Sequence, residues 1–124
     1  WMWLNHFQYI KDRKVVYADL GANDPIFTSN TFFLDKCLNA VGVCVEANHR
    51  FGDRYSKFRN CHYINNCLSD KVEEVEFASQ RKDYSTRSGI ANTNKNVNQR
   101  KARRKPESYS GTFETIKMTC TTTT

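Results

Sequence analysis

Two short apolar runs constrain the chain most: Val15–Leu20 (VVYADL) and Gly42–Glu46 (GVCVE). Each is rich in β-branched residues, has strand length and leads into polar residues, and the first reads as a strand buried on both faces. Between them, Phe32, Phe33, Leu34, Cys37 and Leu38 recur at helical spacing, with Thr28, Ser29 and Asn30 available to cap a helix over Thr31–Leu38. Asn48–Phe58 repeats the helical pattern with Phe51, Tyr55 and Phe58 on one stripe, and Cys61–Asn66 is a third strand candidate. The order βαβαβ predicts parallel strands joined by helices, the first half of a doubly wound α/β sheet.

The flanks differ in character. Residues 1–13 place Trp3, Phe7 and Ile10 at i, i+4 and i+7, the spacing of a short amphipathic N-terminal helix. Val72–Phe77 alternates with period two, as a half-exposed strand does. Residues 79–111 form a polar, basic loop in which Ile90 and Val97 are the aliphatic residues of size, and 112–124 hold a terminal strand over Phe113–Thr119. The half-domain proper spans 14–78.

With 124 residues the chain makes one domain at most. No apolar run approaches the roughly 20 residues of a membrane helix. The start WMWLNHFQYIKDRK lacks a signal-peptide core and a small-residue cleavage site, and Trp1 in first place leads us to expect a beginning inside a longer protein. Five cysteines (Cys37, Cys44, Cys61, Cys67, Cys120) without a secretory signal lead to an expectation of reduced thiols and a cytoplasmic location, with Cys44 a small core residue. Without CxxC, and with His6, His49 and His62 at no ligand spacing, no structural zinc is expected.

Charge is uneven. Residues 1–80 carry 9 Lys/Arg against 10 Asp/Glu, and residues 81–124 carry 10 against 3, so the formal net charge of +6 resides in the last third. Lys95, Arg100, Lys101, Arg103, Arg104 and Lys105 form a run without an intervening acid. Such a run binds phosphates or acts as a targeting signal. No aromatic residue alternates with it to stack bases, so a solvated loop is preferred and nucleic acid is not the favoured partner.

Ligands of open α/β sheets bind beyond the carboxyl ends of the strands. Three ends offer candidates: Asp19, Gly21, Ala22 and Asn23 after the first strand, Glu46 after the second, and Asn66, Cys67 and Leu68 with Ser69-Asp70 after the third. Gly21 permits a tight turn and a close approach of backbone to ligand. Glu46 lies 25 residues beyond Gly21, near the spacing at which an acidic side chain accepts hydrogen bonds from a ribose diol. The turn reads G-A-N-D-P, not G-x-G-x-x-G, and Pro25 removes a donor, so a pyrophosphate is poorly served. A ligand with ribose and base but no phosphate fits better, and S-adenosylmethionine is one.

The blocks VVYADLGANDPIFTSNTFFLDK, VGVCVEANHRF and NCHYINNCLSDKVEEVEF resemble the FkbM-type S-adenosylmethionine-dependent methyltransferases over residues 14–78, and FETIKMTCTT does so more weakly. The resemblance implies a Rossmann-like doubly wound sheet of class I methyltransferases, a cofactor site of Asp19, Gly21, Ala22, Asn23, Glu46, Cys67 and Leu68, and O-methylation of a sugar-like hydroxyl on a small-molecule or glycan acceptor. Asn39-Ala40 stands where the family usually has Gly-Trp before the second strand, and Ala47 where it usually has Pro. The family's Thr-Leu-Asp helix and its acidic fourth strand would follow Thr124, so an incomplete domain is expected, and whether this piece turns over as an enzyme is left open. Alternatives are an inactive remnant, or a nucleic-acid-binding or targeting module through residues 95–105. No catalytic base is evident: His49 and His62 qualify by residue type and read better as surface or packing residues.

Overall fold

The computed structural model describes residues 14–80, 88–91 and 113–122. The N-terminal helix expected over residues 1–13, the basic run at 95–105 and most of the 79–111 loop lie outside them. Two compact units divide the chain, Trp1–Asn65 and Asn66–Thr124.

The described part of the first unit is a three-stranded parallel sheet in the order β1-β2-β3, with β1 at Val16–Leu20, β2 at Val41–Val45 and β3 at His62–Ile64. β1 lies beside β2 in a register that pairs Tyr17 with Gly42 and Asp19 with Cys44. β2 lies beside β3 with Cys44 opposite Tyr63. Gly42 leaves room for the Tyr17 ring: a Cβ on it would stand 2.3 Å from that ring and force it to shift.

Helix α1 is short, Phe32–Cys37. Its first free N–H, on Phe32, donates to the Ser29 hydroxyl at 3.1 Å, so Ser29 supplies the capping oxygen the sequence offered. Asn39 takes the left-handed conformation (φ 50) that turns the chain out of the helix, and the Ala40 N–H reaches back to the Leu34 carbonyl at 3.1 Å. The second crossover begins with a 3-10 turn at His49–Phe51, capped by the Asn48 side chain accepting from the Arg50 N–H, and continues as α2, Gly52–Phe58.

The core of this unit gathers Ala22, Cys44, Phe51 and Tyr55, flanked by Tyr17, Cys61 and Tyr63. Tyr55 and Tyr63 stack with ring centroids 4.6 Å apart. Strand β1 is not buried on both faces, as its composition led us to expect: Val16 is 73% and Leu20 54% exposed. Alternation explains this, because the packed residue Tyr17 points to the opposite face from Val16.

The second unit is a three-stranded antiparallel sheet in the order β5-β4-β6, with β4 at Glu73–Gln80, β5 at Gly89–Ile90 and β6 at Phe113–Cys120. β4 and β6 pair along their whole length, from Glu73 opposite Cys120 to Gln80 opposite Phe113. Both alternating segments are thus strands, and they are partners of each other. Val75 and Phe77 are the buried side of β4.

Two disulfides overturn the expectation of reduced cysteines and a cytoplasmic location. Cys44 is bonded to Cys61 and Cys67 to Cys120, with Cα atoms 6.0 and 4.6 Å apart. Cys44 is fully buried, but as half of a crosslink and not as a free core thiol. The parity argument failed because one cysteine, the exposed Cys37, stands outside two complete pairs. Such bonds persist in an oxidising setting such as the extracellular space and are rare in a reducing cytosol. Among the described residues, no helix is long and apolar enough to cross a membrane.

Candidate functional site

The carboxyl ends of β1 and β2 lie side by side, and a set of backbone and carboxylate bonds ties them together. The Gly21 and Ala22 N–H groups both donate to the Val45 carbonyl, at 2.9 and 3.0 Å. Gly21 has φ +70, the left-handed region that favours glycine, and apart from its chain neighbours nothing lies within 4 Å of where a Cβ would be. The chain turns there with open space beside it. Asn23 follows at φ 53, its N–H aimed at Glu46.

Glu46 is buried, and its two oxygens divide the work. One accepts the Asn23 N–H at 2.8 Å and the other the Asn48 N–H at 2.7 Å. A carboxylate offers about four lone-pair positions, so each oxygen keeps capacity for one more donor. The Tyr55 hydroxyl donates to the Asn23 carbonyl at 3.0 Å, fastening the same turn from α2. Burial pushes the Tyr55 hydroxyl well above its ordinary pKa, and nearby Asp19 and Glu46 add to the rise against the opposing effect of Arg59.

Asp24 closes the next turn by accepting the Ile26 and Phe27 N–H groups at 2.9 and 2.8 Å, and it also pairs with Arg54 of α2. Asp19, at the end of β1, accepts a short hydrogen bond from the Thr31 hydroxyl. Its role in this structure is therefore to orient the loop between β1 and α1.

Arg59 is the residue that sequence reasoning missed. It follows α2 directly, its side chain is fully buried, and all five of its N–H donors are used. Nε donates to Asp35 at 2.8 Å, Nη1 to the Pro25 carbonyl at 3.1 Å and to Ser29 Oγ at 3.0 Å, and Nη2 to the Tyr17 hydroxyl at 3.0 Å and Thr31 Oγ1 at 2.8 Å. The rings of Tyr55, Phe32 and Tyr17 surround the guanidinium, 5.8 to 6.0 Å from centroid to carbon. Burial opposes its charge, but Asp35 and Tyr17 outweigh that and leave its pKa raised. The Asp35 oxygen that receives Nε also accepts the Asn60 N–H at 2.9 Å. A charged residue beside a helix end reads as solvated, and its partner Asp35 lies 24 residues away, so no local pattern marked the pair.

Of the expected cofactor residues, Asp19, Gly21, Ala22, Asn23 and Glu46 come together at these strand ends. Cys67 and Leu68 belong to the second unit, where Cys67 is crosslinked to Cys120 and Leu68 bridges to Thr121. His49 and His62 are exposed, and no base is assigned to either. Among the described residues, no group of three or more His, Cys, Asp or Glu side chains is placed to hold a metal ion. Comparison of the chain with family models, curated proteins and solved structures found no match.

Proposed function

We propose that the chain carries the cofactor-binding half of an S-adenosylmethionine-dependent methyltransferase domain with a Rossmann-like sheet, acting on a hydroxyl of a glycan or other sugar-like acceptor. The observation that carries this reading is the convergence of Asp19, the Gly21–Asn23 turn and Glu46 at adjacent ends of parallel strands, where ligands of such sheets bind. The residues present fit the group: Gly21 leaves room for backbone approach, and each Glu46 oxygen retains an acceptor position for a ribose hydroxyl. The chemistry such a cofactor brings is an electrophilic methyl group on a sulfonium. The protein's part is to bind and orient, and Asn23 and Asn48 hold the Glu46 carboxylate ready for that. The disulfides favour an acceptor met in an oxidising compartment.

A second reading, an inactive remnant, is favoured by one observation. The Glu46 bonds to Asn23 and Asn48 brace the strand ends whether or not a ligand joins them.

Equilibrium dialysis of the disulfide-intact chain against S-adenosylmethionine and S-adenosylhomocysteine separates the two. Saturable binding is expected, weakened at least about tenfold in Glu46→Gln, since a hydrogen bond to a charged group is worth about 1.5–3 kcal/mol. Absence of saturable binding by a folded chain would leave the remnant.

A further inference from the structure

Three of the five Arg59 bonds fall within the loop that joins β1 to α1: to the Pro25 carbonyl, Ser29 Oγ and Thr31 Oγ1. That loop holds two non-glycine residues in the left-handed region besides its opening glycine, Asn23 (φ 53) and Thr28 (φ 64). Thr28 is β-branched, and for such a residue this conformation persists only where the surroundings impose it. Arg59 grips the chain on both sides of Thr28, at Pro25 and at Ser29.

The bond to Thr31 reaches further. A hydroxyl has one proton to donate. Because Thr31 Oγ1 accepts from Arg59 Nη2, that proton is free for Asp19, whose carboxylate receives it. The direction of the chain Arg59 to Thr31 to Asp19 is thereby set by a group that is always protonated.

We infer that Arg59 is the positioning residue of the candidate site: it fixes the path of the Gly21–Thr31 loop directly and the orientation of the Asp19 carboxylate through Thr31. Its five donors are all taken by groups of the protein, so it acts through the loop and Thr31. The fork geometry is essential, since lysine brings the charge from a single nitrogen and cannot span Pro25, Ser29, Thr31, Tyr17 and Asp35 at once. The effect on ligand affinity rests on the function proposed above, whereas the effect on the loop does not.

The test combines amide hydrogen exchange with S-adenosylhomocysteine binding, on the disulfide-intact chain and its Arg59→Lys, Thr31→Val and Thr31→Ser variants. Arg59→Lys is expected to speed exchange of the Asn23, Ile26 and Phe27 amides about tenfold or more, the effect of losing one or two hydrogen bonds, while β2 amides change little. Thr31→Val is expected to weaken S-adenosylhomocysteine about tenfold, and Thr31→Ser, which restores the hydroxyl, to recover it. Uniformly faster exchange together with unchanged affinity in Thr31→Val would overturn the inference, and wild-type binding would still uphold the proposed function. If the wild type binds no S-adenosylhomocysteine, the proposed function falls; localised exchange then supports the loop clamp and uniform exchange removes it. Should Arg59→Lys not fold, the same exchange and binding measurements on Thr31→Val and Thr31→Ser decide the inference.

Discussion

Glu46, just past the end of β2, accepts the backbone N–H of Asn23, just past the end of β1, at 2.8 Å. The two residues are 23 apart in sequence, and their bond joins neighbouring strand ends at the position where the sheet would receive a ligand.

Removing that carboxylate orphans two N–H groups, on Asn23 and on the buried Asn48. Each unsatisfied buried donor costs about 1–3 kcal/mol. Glu46→Ala is therefore expected to lower the urea midpoint clearly, and Glu46→Gln, which keeps one acceptor oxygen, to lower it less. Coincident unfolding curves for Glu46→Ala and the wild type would show that the bonds carry no stability.

The disulfides close loops of different length, with sequence separations of 17 and 53 residues. Loop-closure entropy assigns them about 3 and about 4 kcal/mol respectively. Full reduction is expected to lower the thermal midpoint by many degrees, and Cys67→Ser with Cys120→Ser to cost more than Cys44→Ser with Cys61→Ser. A non-reducing peptide map lacking the Cys44–Cys61 and Cys67–Cys120 links would contradict the pairing itself.

Three packed tyrosines make stability fall in alkali. Burial pushes the Tyr63 hydroxyl from 10.0 up to about 12, with Glu46 adding to the rise, and burial raises Tyr55 and Tyr17 as well. A raised folded pKa means that the unfolded chain loses its proton first. The contribution is thus complete below about pH 10 and is lost as pH climbs toward about 12. Phenolate absorbance is expected to show late titration of these tyrosines together with unfolding. Tyr63→Phe should reduce the steepness of the alkaline loss, and an unaltered profile would deny Tyr63 the role.

Much of the fold was legible because its elements are local. The apolar run Gly42–Glu46 and the alternation of Val72–Phe77 marked strands observed at Val41–Val45 and Glu73–Gln80, and Ser29 was one of three residues marked as caps by their place before an apolar helical stripe. The placing of Gly21–Asn23 and Glu46 at neighbouring strand ends was legible because each directly follows an apolar run of strand length. What escaped were the side-chain pairings and crosslinks between distant residues. Arg59 meets Asp35, Tyr17 and Thr31 only once the crossovers fold, and Cys61 finds Cys44 only once β3 lies beside β2. That Glu46 already holds two backbone donors was likewise invisible in the spacing that singled it out.

The most direct measurement is a nitrogen-15 amide spectrum of the disulfide-intact chain titrated with S-adenosylhomocysteine. The account expects saturable shifts in the Gly21, Ala22, Asn23, Glu46 and Asn48 amides, the groups that line or brace the two strand ends. A folded chain whose spectrum stays unchanged at saturating ligand, or whose shifts fall only outside those strand ends, would contradict it.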